Sequence, residues 1–230
     1  MRQTDGVQKL ARAALIATSA LVIIAAIIWG IQRLAASRGV SQAATLQPNP
    51  SNYAIGGFPM SGNLAPDFQL TDQFGKPFKL SSLRGHEIVL AFVDARCTTL
   101  CPLTAQIMYY AKSQLDAAAA SQIDLVAVNA NPTATSVTAV QSWSIQHGML
   151  HQWEFVTGTP QQLNVVYHLY NVYVQVSSNN AVEHDPITFI IDATGHERLY
   201  YETLDSNAQA DIKSQEIGLE DGMKQWLPKS

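Results

Sequence analysis

Six consecutive apolar residues, Ile88 to Val93 (IVLAFV), run directly into Asp94-Ala95-Arg96-Cys97-Thr98-Thr99-Leu100-Cys101-Pro102. So short and wholly apolar a run suits a strand buried on both faces, at the centre of a sheet covered by helices. Pro102 suits the first turn of a helix, where its missing N–H costs nothing. Leu103, Ile107, Ala111 and Leu115 then recur at near-helical spacing through Ala120. Both cysteines therefore fall where a buried strand hands over to a helix.

The rest of the chain from about Asn63 repeats this alternation. DFQLTDQFGKPFKL reads as a hairpin around a Gly-containing turn. A strand at Ile123 to Val128 is followed by a helix around Ser136 to His147, closed by Gly148. A strand at Trp153 to Val156 precedes a helix from Pro160 to about Tyr170. Thr188 to Ile191, a turn at Ala193-Thr194-Gly195 and a strand at Glu197 to Tyr201 lead to a last amphipathic helix, with Ile212, Leu219, Met223 and Trp226 on one side. Alternating strands and helices predict an α/β sandwich with a mostly parallel central sheet. A hydrophobic share of 47% in 230 residues allows one such core plus appendages.

The appendage is N-terminal. Ala13 to Ile31 carries no charge over 19 residues, and at ~1.5 Å per residue reaches ~28 Å, close to the thickness of bilayer hydrocarbon. It exceeds the ~7–15 residues of a signal-peptide core, which predicts an uncleaved membrane anchor. Arg2, Lys9 and Arg12 before it, against Arg33 and Arg38 after it, favour a cytoplasmic N-terminus at residues 1–12 and an extracytoplasmic remainder. Residues 32–62, rich in Ala, Ser, Gly, Pro and Asn, read as a flexible tether, leaving residues 63–230 as the domain. From residue 41 onward, 9 Lys and Arg stand against 17 Asp and Glu; nothing resembles a nucleic-acid surface.

The two cysteines make no disulfide framework, and a bridge across so short a loop removes little unfolded-state entropy. A helix N-terminus lowers thiol pKa values and favours thiolates, so the pair can act as a redox dithiol, or both sulfurs can bind one soft metal ion. Two thiolates need a third ligand. His147 and His151 are separated by Gly148, His168 lies among Val165, Val166 and Leu169 as a packing residue, and His86 and His196 flank turns. His184 precedes a proline and an apolar strand, a segment that can pass beside a helix N-terminus elsewhere in the chain.

APDFQLTDQFGKPFKLSSLRG, IVLAFVDARCTTLCPLTAQ, LVAVNANP and HDPITFIIDATG together resemble the Sco/SenC family, membrane-tethered thioredoxin-like copper proteins that assist cytochrome c oxidase assembly. The resemblance covers roughly residues 63 to 225, and its most specific element is C-x-x-x-C-P. It implies a thioredoxin-like α/β sandwich with a central mixed β-sheet and an N-terminal hairpin, preceded by one transmembrane helix. It further implies copper, Cu(I) or Cu(II), bound by Cys97, Cys101 and His184, the histidine standing eight residues before Asp192 as in the family. Two thiolates and an imidazole suit Cu(I), whereas zinc asks for a fourth ligand such as Asp94 or water. The implied partner is the oxidase subunit carrying the copper A site, with a thiol reductant or another copper chaperone in support, at the outer face of the cell membrane. Family members carry Pro-Asp between the cysteines and an Asp-rich segment after the second core strand; here the corresponding stretches are Thr99-Leu100 and Asn129-Ala130-Asn131-Pro132. Pro186 stands six residues before Asp192, as the cis-proline of thioredoxin-like oxidoreductases does. A thiol-disulfide oxidoreductase using Cys97 and Cys101 on exported proteins is the alternative function. A peroxidase ranks third, because no Pro-x-x-x-Thr-x-x-Cys arrangement precedes Cys97.

Overall fold

The structure, a computed structural model, describes residues 56–228. The expected cytoplasmic segment 1–12, the anchor 13–31 and the tether up to residue 55 lie outside the described residues. Among the described residues no helix is long and apolar enough to cross a membrane.

Six strands form the central sheet. They are β1 (Phe58–Pro59), β4 (Glu87–Val93), β5 (Ile123–Asn129), β6 (Glu154–Val156), β9 (Ile187–Ile191) and β10 (Glu197–Glu202), in the spatial order β1-β10-β9-β4-β5-β6. β4 pairs in parallel with β5, and β5 with β6, while β9 runs antiparallel to both β4 and β10. The sheet is thus mixed rather than mostly parallel. The reason is local: the Ala193-Thr194-Gly195 turn joins β9 and β10 directly, and only antiparallel neighbours can share so tight a connection.

The apolar run of β4 is buried at every residue. Its side chains alternate between two cores. Val89, Ala91 and Val93 meet residues of α1 (Leu100–Ser113), α3 (Val137–Gln146) and α5 (Gln209–Trp226). Leu90 and Phe92 meet α4 (Pro160–Leu169) and the hairpin of β2 (Gln69–Thr71) and β3 (Pro77–Lys79). The helix ends are set by short polar side chains that satisfy orphan amides. Ser136 accepts from the Ala139 amide, and Thr159 with Gln162 forms a capping box ahead of Pro160. Gly148 ends the segment after α3 at φ 70°.

Several expectations need correction. The helix expected through Ala120 stops at Ser113, and Asp116 caps a separate short helix, α2 (Ala117–Ala120), by accepting from the Ala119 amide. An Asp there competes for backbone donors better than it continues a helix. Ordered structure starts before Asn63, since Phe58 pairs with Tyr200 in register and stacks on its ring at 4.7 Å. His168 is exposed rather than packed in the core. A second hairpin, β7 (Val174–Val176) with β8 (Val182–His184), follows α4; its Val-Gln-Val alternation and Ser177-Ser178-Asn179-Asn180 turn are legible signals that the helical reading passed over. No cis peptide bond occurs among the described residues, so the bond before Pro186 is trans.

Candidate metal and dithiol centre

β4 ends at Val93 and the chain turns at once. The Asp94 carboxylate accepts from the Arg96 amide at 2.7 Å and from Asn131 Nδ2 at 2.8 Å, and the Cys97 amide donates to the Asp94 carbonyl at 3.0 Å. Asn131 is placed by Asn129, whose Oδ1 accepts from the Asn131 amide at 3.0 Å and whose Nδ2 donates to the Ala134 carbonyl at 2.8 Å. From the other side Trp143 Nε1–H donates to the Cys97 carbonyl at 3.0 Å. Asp94, Asn129 and Asn131 are all buried, and buried polar groups so completely paired hold a loop in one conformation. Asp94 thus organises the turn through Oδ1 and lines the pocket that reaches Cys97 and His184.

Cys97 comes to rest half-buried before the helix, and Cys101 is 2% exposed in its first turn. The two thiols are free, and the Cys101 amide donates to Cys97 Sγ at 3.5 Å. The Cys101 thiol, donating to Cys97, holds Cys97 down at about 5; Thr99 and the Cys101 amide add to this and burial opposes it. Cys101 is pushed far up, first by donating to Cys97, then by burial. The shifts run in opposite directions, favouring the thiolate on the outer sulfur and the thiol on the inner one, the distribution an attacking thiolate needs.

β9 is antiparallel to β4, with Ala91 opposite Thr188, so the entry of β9 lies beside the exit of β4. That topology brings His184, at the end of β8, to the cysteines: its Nε2 is 3.5 Å from Cys101 Sγ. His184 Nδ1–H donates to the Asp185 carbonyl at 3.0 Å, which leaves the Nε2 lone pair directed at the sulfur. An ion bound by sulfur at ~2.3 Å and by imidazole nitrogen at ~2.0 Å, at trigonal or tetrahedral angles, separates the two donors by ~3.5–3.7 Å. The Cys101–His184 distance fits that value. Among the described residues no three His, Cys, Asp or Glu side chains are yet drawn round a common point. Cys101 contacts both of the others, its amide donating to Cys97 Sγ at 3.5 Å and its sulfur lying 3.5 Å from His184 Nε2. Arg96, Thr98, Asn131 and Asn180 rim an open pocket of about 330 Å³ that reaches Cys97 and His184.

The other histidines have partners of their own, although His147 is close enough to feel the charge of Cys97. His86 pairs with Asp124 at 3.0 Å, His151 stacks on Phe74, His196 bonds Thr194, and His147 lies against Trp143 with ring centroids 4.0 Å apart. Sequence reasoning missed three supporting residues, Thr99, Asn131 and Trp143. NANP and the Thr-rich interval were visible as composition, but a tryptophan 46 residues from Cys97 leaves no local signal.

A mixed six-stranded sheet between helical layers, with a dithiol at the strand-to-helix junction and an imidazole facing it from the end of the β7–β8 hairpin, defines a domain of the thioredoxin-like class. The SCO1/SenC family model matches residues 59–217, and the chain belongs to that family. The mitochondrial protein SCO2 of Saccharomyces cerevisiae is 27% identical over 152 residues, 63% of this chain and 48% of SCO2, so the matched part spans about half of that relative. The crystal structure of Arabidopsis thaliana ScoI with copper bound superposes with a TM-score of 0.60 at 19% identity, covering 71% of this chain and all of ScoI. The solution structure of apo Sco1 from Thermus thermophilus gives 0.62 at 20% identity, covering 74% and 96%. At such identities the structural likeness establishes the thioredoxin-like fold.

Proposed function

We propose that this protein is a membrane-tethered copper carrier that takes up Cu(I) as cargo through Cys97, Cys101 and His184 and passes it to the copper A site of a cytochrome c oxidase subunit. The observation that carries this reading is the convergence of His184 Nε2 on Cys101 Sγ at 3.5 Å across 83 residues of sequence. Disulfide chemistry needs no imidazole there, while a soft ion held by two thiolates needs a third donor. Membership of the SCO1/SenC family and the copper-bound state of ScoI support the choice of metal. The carrier faces the outer side of the cell membrane, held by the 13–31 segment, where exchangeable thiols can meet an oxidase subunit during assembly. Release follows by ligand exchange, favoured because His184 and Cys97 are half-exposed and can hand the ion over donor by donor.

The test is a titration of the reduced full-length protein with Cu(I) against a competing chelator. One equivalent is expected to bind, and Cys97→Ser is expected to abolish tight retention. Equal affinity in the variant would exclude the site.

A thiol-disulfide reductase is the second reading, supported by the charge distribution between the two sulfurs. The Cys97 thiolate would attack a target disulfide, forming a mixed disulfide and releasing one target thiolate. Cys101, giving up its proton, would then attack Cys97, releasing the second target thiol. The target gains two electrons, and the protein is left with a Cys97–Cys101 disulfide.

A further inference from the structure

Three helices begin after an Asp, Ser or Thr that caps them in the ordinary way. Asp116, Ser136 and Thr159 lie at ψ 162°, 146° and 156°, and each side chain accepts from the amide three residues on. Thr99 holds the same place before α1 and makes no such bond; its backbone lies at φ −116°, ψ −94°. Its hydroxyl instead lies 3.5 Å from Cys97 Sγ.

The sequence explains why the usual cap is displaced. A capping side chain serves the second or third amide of a helix, and the third residue of α1 is Pro102, which has none. Only the Cys101 amide remains, and it donates to Cys97 Sγ at 3.5 Å. The sulfur fills the acceptor position that Thr99 would occupy, and Thr99 serves the sulfur. A thiolate can accept from both donors, since bonds to an ionised acceptor are the strong ones. A sulfur already bonded to another sulfur has little to offer either.

We propose that Thr99 is a positioning residue for Cys97 that exchanges partners: its hydroxyl hydrogen-bonds the sulfur while Cys97 is reduced and unbonded, and caps α1 once that sulfur is in a disulfide. The inference rests on the dithiol part of the proposed function and not on copper. Oxidation by a small-molecule disulfide forms the Cys97–Cys101 bond and breaks the reagent's S–S bond, and the two electrons and the protons of the dithiol leave with the reagent as two thiols. The Cys101 amide then lacks its acceptor. Rotation of the Thr99 ψ into the extended range of the other three caps supplies one.

Two variants of the full-length protein test this, Thr99→Val, which removes the hydroxyl at constant shape, and Thr99→Ser, which keeps it. Because the cap lost in Thr99→Val stabilises the disulfide form more than the dithiol, the equilibrium of the Cys97–Cys101 pair with a glutathione redox buffer is expected to shift severalfold toward the dithiol in Thr99→Val and to stay within about twofold of the parent in Thr99→Ser. After oxidation, Thr99→Val should lower Tm by several degrees, as expected for a lost cap, and by less than half as much in the reduced protein. An unchanged redox equilibrium in Thr99→Val, equal Tm losses in the two states, or failure of the cysteines to form a disulfide would each overturn the proposal. None of these measurements contains metal, so a parent protein that binds no Cu(I) overturns the copper reading alone.

Discussion

Cys101 Sγ and His184 Nε2 lie 3.5 Å apart although 83 residues separate them in the chain. Two features of the fold produce this: the antiparallel register that sets Thr188 opposite Ala91, and the β7–β8 pairing that sets His184 opposite Val174. Both are fixed by backbone hydrogen bonds and not by the imidazole, so substitution of His184 removes a donor without moving the sulfurs. His184→Ala is therefore expected to weaken Cu(I) binding more than tenfold, the usual consequence of losing a ligand or its immediate support. The Cys97–Cys101 disulfide should still form and be reduced as in the parent. Chelator competition and thiol counting on the same sample check both halves, and an unchanged copper affinity would remove His184 from the site.

Alkylation should distinguish the two sulfurs. Thiolate is the reacting species, and a free cysteine forms it near pH 8.5. Cys97 is held at about 5, so its rate is expected to rise through that pH and level off by about pH 6–7. Cys101, buried and pushed upward, should label only after unfolding. Mass-spectrometric counting across pH 4 to 9 gives the profile. A rate for Cys97 still climbing between pH 7 and 9 would mean that its charge is not stabilised as described.

Much of this architecture was readable from local pattern. β4 announces itself by an unbroken apolar run, α3 by Ser136 and Gly148, and α4 by Thr159-Pro160 followed three residues on by Gln162. Each of these signals lies within one element, where periodicity and capping chemistry act. Sheet direction was less legible, because β9 enters antiparallel to β4 through long-range pairing that no short window contains. The site divided in the same way. The cysteine loop was conspicuous by spacing, and His184 was selected among the six histidines by resemblance more than by its neighbours. The buried Asn129–Asn131–Asp94 chain and the Trp143 contact follow from the turn after β5 and from the packing of α3, which only the assembled fold brings to Cys97.

Gly222 marks where α5 meets the sheet most closely. A Cβ there would press on Tyr201 Oη and stand 2.8 Å from Ile190 Cδ1 and 3.2 Å from Leu199 Cδ1. Tyr201 Oη–H also donates to the Gly218 carbonyl at 3.2 Å, so displacing it costs a buried hydrogen bond as well. Gly222→Ala gains helix propensity of about 1 kcal/mol, but overpacking of this kind costs about 1–3 kcal/mol and the lost bond about 1 more. Net destabilisation is expected, read as a lower Tm, whereas Gly75→Ala meets no atoms within 4 Å and is disfavoured only by its φ of 79°. A Gly222→Ala protein as stable as the parent would show that α5 can lift from the sheet without loss.

Glu87 opens β4 at the end of the sheet away from the cysteines, fully buried, and neither of its carboxylate oxygens has a hydrogen-bond partner. Burial, with the negative charge of Asp192 as a smaller contribution, raises it to about 9. In the unfolded chain a glutamate titrates near 4.3. Between those two pH values the folded protein therefore binds a proton that the unfolded chain has released, and stability must fall as pH rises. Below about pH 4 the group is protonated in both states and imposes no pH dependence. By pH 7 the accumulated loss is on the order of 3 kcal/mol, from ~1.36 kcal/mol per pH unit, and it levels off only above pH 9. Glu87→Gln keeps the shape and removes the titration. It is expected to match the parent near pH 4.5 and to exceed it by a margin that grows toward pH 8, with a Tm higher by several degrees there. Urea unfolding of both proteins at pH 4.5, 6, 7 and 8 measures that margin directly. A constant difference across the series would mean that Glu87 is charged in the folded protein and finds a partner when it ionises.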